Sequence, residues 1–245
     1  MSIVLAYHAV ADGFPAPLAV TPAALRDQLT LLVERGYRGV TFSGLAEARG
    51  KGKLLAVTFD DAYRSVHSLA APILAELGLP GTVFAPTSYI GTERPMSWPG
   101  IERWLETPHA RELVPMSWDE LRSLAEAGWE VGSHTVTHPR LTSLEDGLLD
   151  AELRDSRLEC SERMGEPCTS IAYPYGDHDD RVVAATARAG YEWGATLPGR
   201  LPRAQPLRWP RIGVYNSDDL GRFRLKVSPI LRFARSTPIL SLIHI

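Results

Sequence analysis

Cysteine is nearly missing from this sequence. Cys160 and Cys168 are the only two in 245 residues. Two cannot build a disulfide framework, and the plain reading is a pair of reduced thiols. No run of about 18 apolar residues occurs, so no membrane-crossing helix is expected. An excess of basic charge is missing too. The formal net charge is -3, whereas nucleic-acid-binding domains are usually strongly basic, so no nucleic-acid partner is expected. The apolar start, residues 1–6, has no basic region before it and runs directly into Tyr7 and His8. It reads as a first buried strand and not as a signal peptide, which makes the cytoplasm the default location. Internal repeats and a dinucleotide-binding glycine fingerprint are also lacking.

What is present suits one α/β domain. A hydrophobic content of 44% over this length can fill one sizeable core. Short apolar runs predict strands at 3–8, 38–42, 54–59, 81–85, 130–133, 170–173, 193–197 and 210–214. Helix signals lie between them. Thr21 caps a helix with Pro22 at its first position; Leu25, Leu29 and Leu32 form its apolar face, and Gly36 ends it. Ser117 and Glu120 form a capping box, with Met116 and Leu121 placed as a hydrophobic staple and Gly128 as the stop. Further helices are expected at 64–77, 144–164 and 179–189. Strand-helix alternation implies a mostly parallel sheet. Seven or eight strands without a dinucleotide fingerprint favour a distorted (β/α) barrel over an open sheet. Residues 91–115, rich in Pro and Trp and poorly periodic, read as an insertion near the face where such barrels carry their sites.

Three groups of polar residues fall at predicted strand ends: Tyr7-His8, Thr58-Phe59-Asp60-Asp61 and Ser133-His134-Thr135-Val136-Thr137-His138. In a parallel barrel all strand C-termini point to one face, so these groups converge. His134 and His138 are four apart, and one helical turn would put both imidazoles on one side. With a carboxylate they make a two-histidine, one-carboxylate metal site with open positions. Alone, the histidine pair also reads as two solvated or capping residues, and the aspartate pair as a helix cap. Adjacent aspartates also suit a division of labour, one binding a metal while the other takes a proton from the attacking water.

These motifs resemble those of the polysaccharide deacetylases with a NodB-homology domain, carbohydrate esterase family 4. The family's TFDD motif matches 58–61, and its H-(S/T)-x-x-H motif matches 134–138. The resemblance implies a distorted barrel of NodB-homology type, Asp60 as general base, and Asp61, His134 and His138 as metal ligands. A third motif matches in part, as Ala172-Tyr173-Pro174-Tyr175-Gly176. It implies that Tyr173, Pro174 and Tyr175 line the substrate and that the backbone after Tyr173 donates to the oxyanion. This form resembles the poly-N-acetylglucosamine deacetylase branch, whose permuted order moves a histidine-ending strand to the N-terminus. His8 then stands where the family has its general acid; the competing reading is a buried structural histidine. The family's usual arginine is missing from the third motif. Arg211 is a candidate to replace it in orienting Asp60, against a merely structural or surface role.

The implied activity is metal-dependent hydrolysis of the N-acetyl amide of an N-acetylhexosamine-containing poly- or oligosaccharide. Zinc is the expected ion, with cobalt, nickel and iron also acceptable to a mixed N/O site. The alternatives are hydrolysis of a non-sugar amide and a degenerate carbohydrate-binding module. Trp98, Trp104 and Trp118 are candidates for a sugar-stacking platform, with core packing as the default. His67 is not expected to be a ligand, and His178 is a weak candidate near the third motif. The catalytic domain is expected to span 1–220. Residues 221–245 form a basic tail carrying Arg222, Arg224, Lys226, Arg232 and Arg235 and no acidic residue. A solvated closing helix is the preferred reading of it, and contact with an anionic membrane surface the alternative. Residues 240–245 resemble translated adapter sequence, so His244 carries no argument.

Overall fold

The computed structural model describes residues 2–236. The expectations for 240–245 and the side chain of Arg235 fall outside the described residues. The chain runs β1 (Ile3–Tyr7), β2 (Ala9–Val10), β3 (Ala19–Val20), α1 (Pro22–Glu34), β4 (Arg38–Gly39), α2 (Phe42–Glu47), β5 (Leu54–Phe59), α3 (Ala71–Glu76) and β6 (Gly81–Ala85). It continues through α4 (Trp118–Glu126), β7 (Glu130–Ser133), α5 (Asp146–Met164), β8 (Ser170–Ala172), α6 (Asp180–Arg188), β9 (Trp193–Thr196), β10 (Trp209–Pro210), β11 (Ile212–Gly213), α7 (Leu220–Lys226) and α8 (Pro229–Ser236).

The main sheet has the order β10-β9-β8-β7-β6-β5-β1-β11, with β4 added beside β5. Its pairs are parallel; Leu5 lies opposite both Val57 and Ile212, for example. The two ends of this path, β10 and β11, are separated in sequence by Arg211 alone. One residue cannot span an open eight-strand sheet, because it reaches at most about 3.6 Å. The sheet therefore curls into a nearly closed barrel, and Arg211 stands at the seam. Strands β1, β5 and β6 are buried throughout, as strands covered on both faces must be.

The expected caps form. The Thr21 side chain accepts from the Ala24 N–H, and Ser117 and Glu120 make the reciprocal capping box. The strand expected at 210–214 divides at Arg211 into β10 and β11, and three further details differ from the sequence reading. The strand expected at 38–42 stops at Gly39, because the Thr41 side chain accepts from the Gly44 N–H and opens α2 instead. The helix expected over 64–77 opens with a π-turn at Val66–Ala70 before α3. Pro72 has no N–H to give to a regular ladder, and the wider turn accommodates it. The tail is not all surface: Phe223 of α7 and Val227, which follows it, are buried in the core. Cys160 and Cys168 are buried free thiols. Among the described residues no helix is long and apolar enough to cross a membrane.

Candidate active site

Parallel strands deliver the predicted residues to one face. Asp60 and Asp61 follow β5, His8 follows β1, His134 follows β7, and Tyr173 follows β8. Asp60, Asp61, His8, His134, His138 and Arg211 are all buried. The backbone is bent to achieve this. Of the six non-glycine residues with positive φ among the described residues, five lie here: Asp61, Ala62, Thr135, His138 and Tyr175. Left-handed non-glycine residues cost of order 1–3 kcal/mol each and concentrate at functional sites.

Asp61, His134 and His138 meet. Asp61 Oδ1 lies 3.3 Å from the Nε2 atoms of both His134 and His138. It is buried and makes no hydrogen bond. His134 Nδ1 lies 2.8 Å from the Ala172 carbonyl, which accepts a hydrogen bond from its N–H and leaves the Nε2 lone pair free for a metal. Three ligand atoms within 4.8 Å of one another, one of them an orphaned carboxylate oxygen, fit a divalent cation. Burial pushes the Asp61 carboxyl up, but the two histidine rings outweigh it and hold it far below the usual carboxylate range. Burial likewise pulls His134 down, and Asp61 and Asp60 more than offset it, so the net direction is up. For His138 burial wins and the direction is down.

The two histidines do not share a helical turn, as the spacing suggested. Residues 134–138 form an irregular loop in which Thr135 and His138 are left-handed. Side chains hold the loop. Thr135 Oγ1 accepts from the His138 N–H at 3.1 Å. Glu152, on α5, accepts from the Val136 and Thr137 N–H groups at 2.8 and 2.9 Å and from the Thr137 hydroxyl at 2.6 Å. Sequence reasoning missed Glu152, since one more glutamate on a charge-rich helix carries no local signal.

Asp60 faces the other way. Arg211 grips it with a fork: Nη1 donates to Oδ1 at 2.6 Å and Nη2 to Oδ2 at 2.8 Å. Nη1 also donates to Thr58 Oγ1 at 2.9 Å. Arg211 is 1% exposed, which excludes the surface reading. Burial pushes Asp60 up, and Arg211 more than compensates, so its carboxyl sits below the usual range. His8 Nε2 is 3.9 Å from Asp60 Oδ2, and its Nδ1 is buried without a partner. Burial pulls His8 down and outweighs the opposing pull of Asp60 and Asp61, so the net direction is down.

The third motif closes the floor. Tyr173 is buried, its hydroxyl donating to the Leu207 carbonyl at 3.0 Å, and His178 stacks on its ring. Pro174 has no N–H, so the first backbone donor after Tyr173 is the Tyr175 amide. The Tyr175 ring sits 4.7 Å from that of His138. Trp98 stacks on His138 with centroids 4.1 Å apart. Trp98 and Trp118 are buried and Trp104 is half-buried, so packing describes these tryptophans better than an open sugar platform. His67 contacts Ser123, away from the site.

Comparison with known proteins identifies the family. Residues 47–194 match the family described as polysaccharide deacetylase. The chain belongs to that family. It is 24% identical over 254 residues to the poly-beta-1,6-N-acetyl-D-glucosamine N-deacetylase of Escherichia coli, covering 86% of this chain but 36% of that one. It therefore spans about a third of the E. coli enzyme's length. The enzyme of the same name from Staphylococcus epidermidis is 24% identical over 213 residues, covering 81% of this chain and 68% of that one. The Streptococcus pyogenes deacetylase PplD, solved with acetate, superposes with a TM-score of 0.77 at 21% identity, covering 93% of this chain and 98% of that one. That likeness establishes the barrel fold.

Proposed function

We propose that this protein hydrolyses the N-acetyl amide of an N-acetylhexosamine polymer or oligomer, residues 1–220 forming the catalytic unit. The supporting observation is the division between neighbours. Asp60 is clamped by an arginine and kept ionised, while Asp61 turns an unpaired oxygen toward two imidazoles. A divalent ion, zinc in our reading, held by Asp61, His134 and His138 would polarise the acetyl carbonyl and acidify the attacking water.

The chain's own groups do the rest. Asp60 accepts the proton of the attacking water, and the Arg211 fork fixes which oxygen faces it. The Tyr175 amide donates to the oxyanion, its position set by the left-handed turn after Pro174. His8 passes a proton to the departing sugar amine. The names of the E. coli and S. epidermidis relatives favour a β-1,6-linked N-acetylglucosamine polymer as the substrate class.

The test is acetate release from N-acetylglucosamine oligomers beside a panel of non-sugar amides. The parent protein with zinc should release acetate from the sugars, and chelation should abolish it. Asp60→Asn should keep zinc and lose about 10²–10⁴-fold in kcat, the range for a positioned general base. Asp61→Asn should lose zinc by elemental analysis. Release from amides and none from sugars would overturn the substrate reading; full activity in metal-free protein would overturn the site.

A further inference from the structure

The barrel carries a cavity at the end opposite the aspartates. It encloses about 650 Å³ beside Val4, Trp193 and Trp209, at the strand starts of β1, β9 and β10. The end of α2 and the face of α8 complete it. This volume lies within the usual range for small-molecule sites, roughly 300–1,000 Å³.

Its chemistry is one-sided. Among the described residues three arginines line it, Arg49, Arg203 and Arg232, and no aspartate or glutamate does. Neither Arg49 nor Arg203 has a carboxylate partner among the described residues. Arg232 donates through Nη2 to the Ser2 carbonyl and is also hydrogen-bonded to the Tyr37 hydroxyl. Its Nε and Nη1 are buried without a hydrogen-bond partner among the described residues. Unpaired buried donors on a cation are costly, and a guanidinium fork is shaped to receive an anion. The apolar wall is Trp193 and Trp209, with Phe233 lying 69% exposed at the edge.

We propose that this cavity is a second binding site, for a small amphipathic anion: one phosphate, sulfate or carboxylate group on an apolar ring or chain. Arginines meet the anion, and the tryptophans and Phe233 cover the body. The substrate class proposed above does not fit here. An N-acetylhexosamine polymer is neutral, and its deacetylated product carries ammonium groups that three arginines repel. The second site is therefore for a different molecule.

The probe is octyl phosphate, titrated calorimetrically into the full chain. Inorganic phosphate supplies the charge alone, octanol the body alone, and phosphatidic acid vesicles the same headgroup on a membrane. Octyl phosphate should bind saturably at one site, and phosphate and octanol at least about tenfold more weakly. Arg232→Gln and Arg49→Gln should each weaken it by about tenfold, the loss of one charge-assisted contact. Arg49 is exposed on a loop, so its variant keeps the test valid if Arg232→Gln disturbs α8. Octanol binding as well as octyl phosphate, an unchanged affinity in Arg49→Gln, or binding to vesicles without binding to octyl phosphate would each overturn the proposal.

Discussion

Replacing Arg211 by methionine should be among the most damaging single changes in this protein. The side chain is 1% exposed and forks onto both oxygens of Asp60. Methionine fills much of the same space but leaves a buried carboxylate with no counter-ion. Removing one partner of a buried pair costs about 3–5 kcal/mol, most of it the stranded charge. The double variant Asp60→Asn/Arg211→Met removes that charge, so it should be more stable than Arg211→Met alone. The pH dependence has a definite sign. In the parent, Asp60 sits below the usual carboxylate range. Its ionisation therefore contributes stability above the unfolded carboxylate pKa, and that contribution is lost as pH falls through the folded one. Without Arg211, burial is opposed only by the His134 and His8 rings and the carboxyl rises, so the variant should be weakest at neutral pH and recover part of its deficit on acidification. Its acid limb in the pH–rate profile should move to higher pH, because that limb reports the base. Thermal melts from pH 4 to 8 and a pH–rate profile measure both effects. A double variant no more stable than Arg211→Met, together with an unmoved acid limb, would refute the reasoning.

His8→Ala should keep zinc content and fold while lowering kcat and displacing the alkaline limb; a parental profile would return His8 to a structural role. Glu152→Gln removes one acceptor from the loop that carries His138, and zinc affinity should fall about 10–100-fold as for other outer-shell partners, read by competition with a chromogenic chelator. Glu130 is pushed up by burial more than its hydrogen bonds from Ser170, Ser43 and Thr82 pull it down. Its folded pKa exceeds its unfolded one, so stability falls as pH rises through that window. Glu130→Gln should match the parent near pH 4 and melt increasingly higher toward pH 7, where a gain of ~1 kcal/mol reads as about 2–4 °C at this size.

Local chemistry alone determined much of this protein. The apolar runs of β1, β5 and β6, the Thr21 cap and the Ser117–Glu120 box were legible because strand burial and capping act over a few residues. The site was legible for a related reason. A parallel barrel sends every strand end to one face, so Asp60, Asp61, His8 and His134 converge once the strands are placed. Elsewhere tertiary structure decided. Arg211 touches Asp60 across 151 positions of sequence, which no local pattern encodes; barrel closure between β10 and β11 makes the contact. The histidine pair bound one point without a helix, because Glu152 from α5 and Thr135 held the loop in a left-handed shape that spacing does not reveal. His8 lay between opposing influences, burial against two carboxylates, and which prevailed depended on how completely the barrel excludes water from that ring.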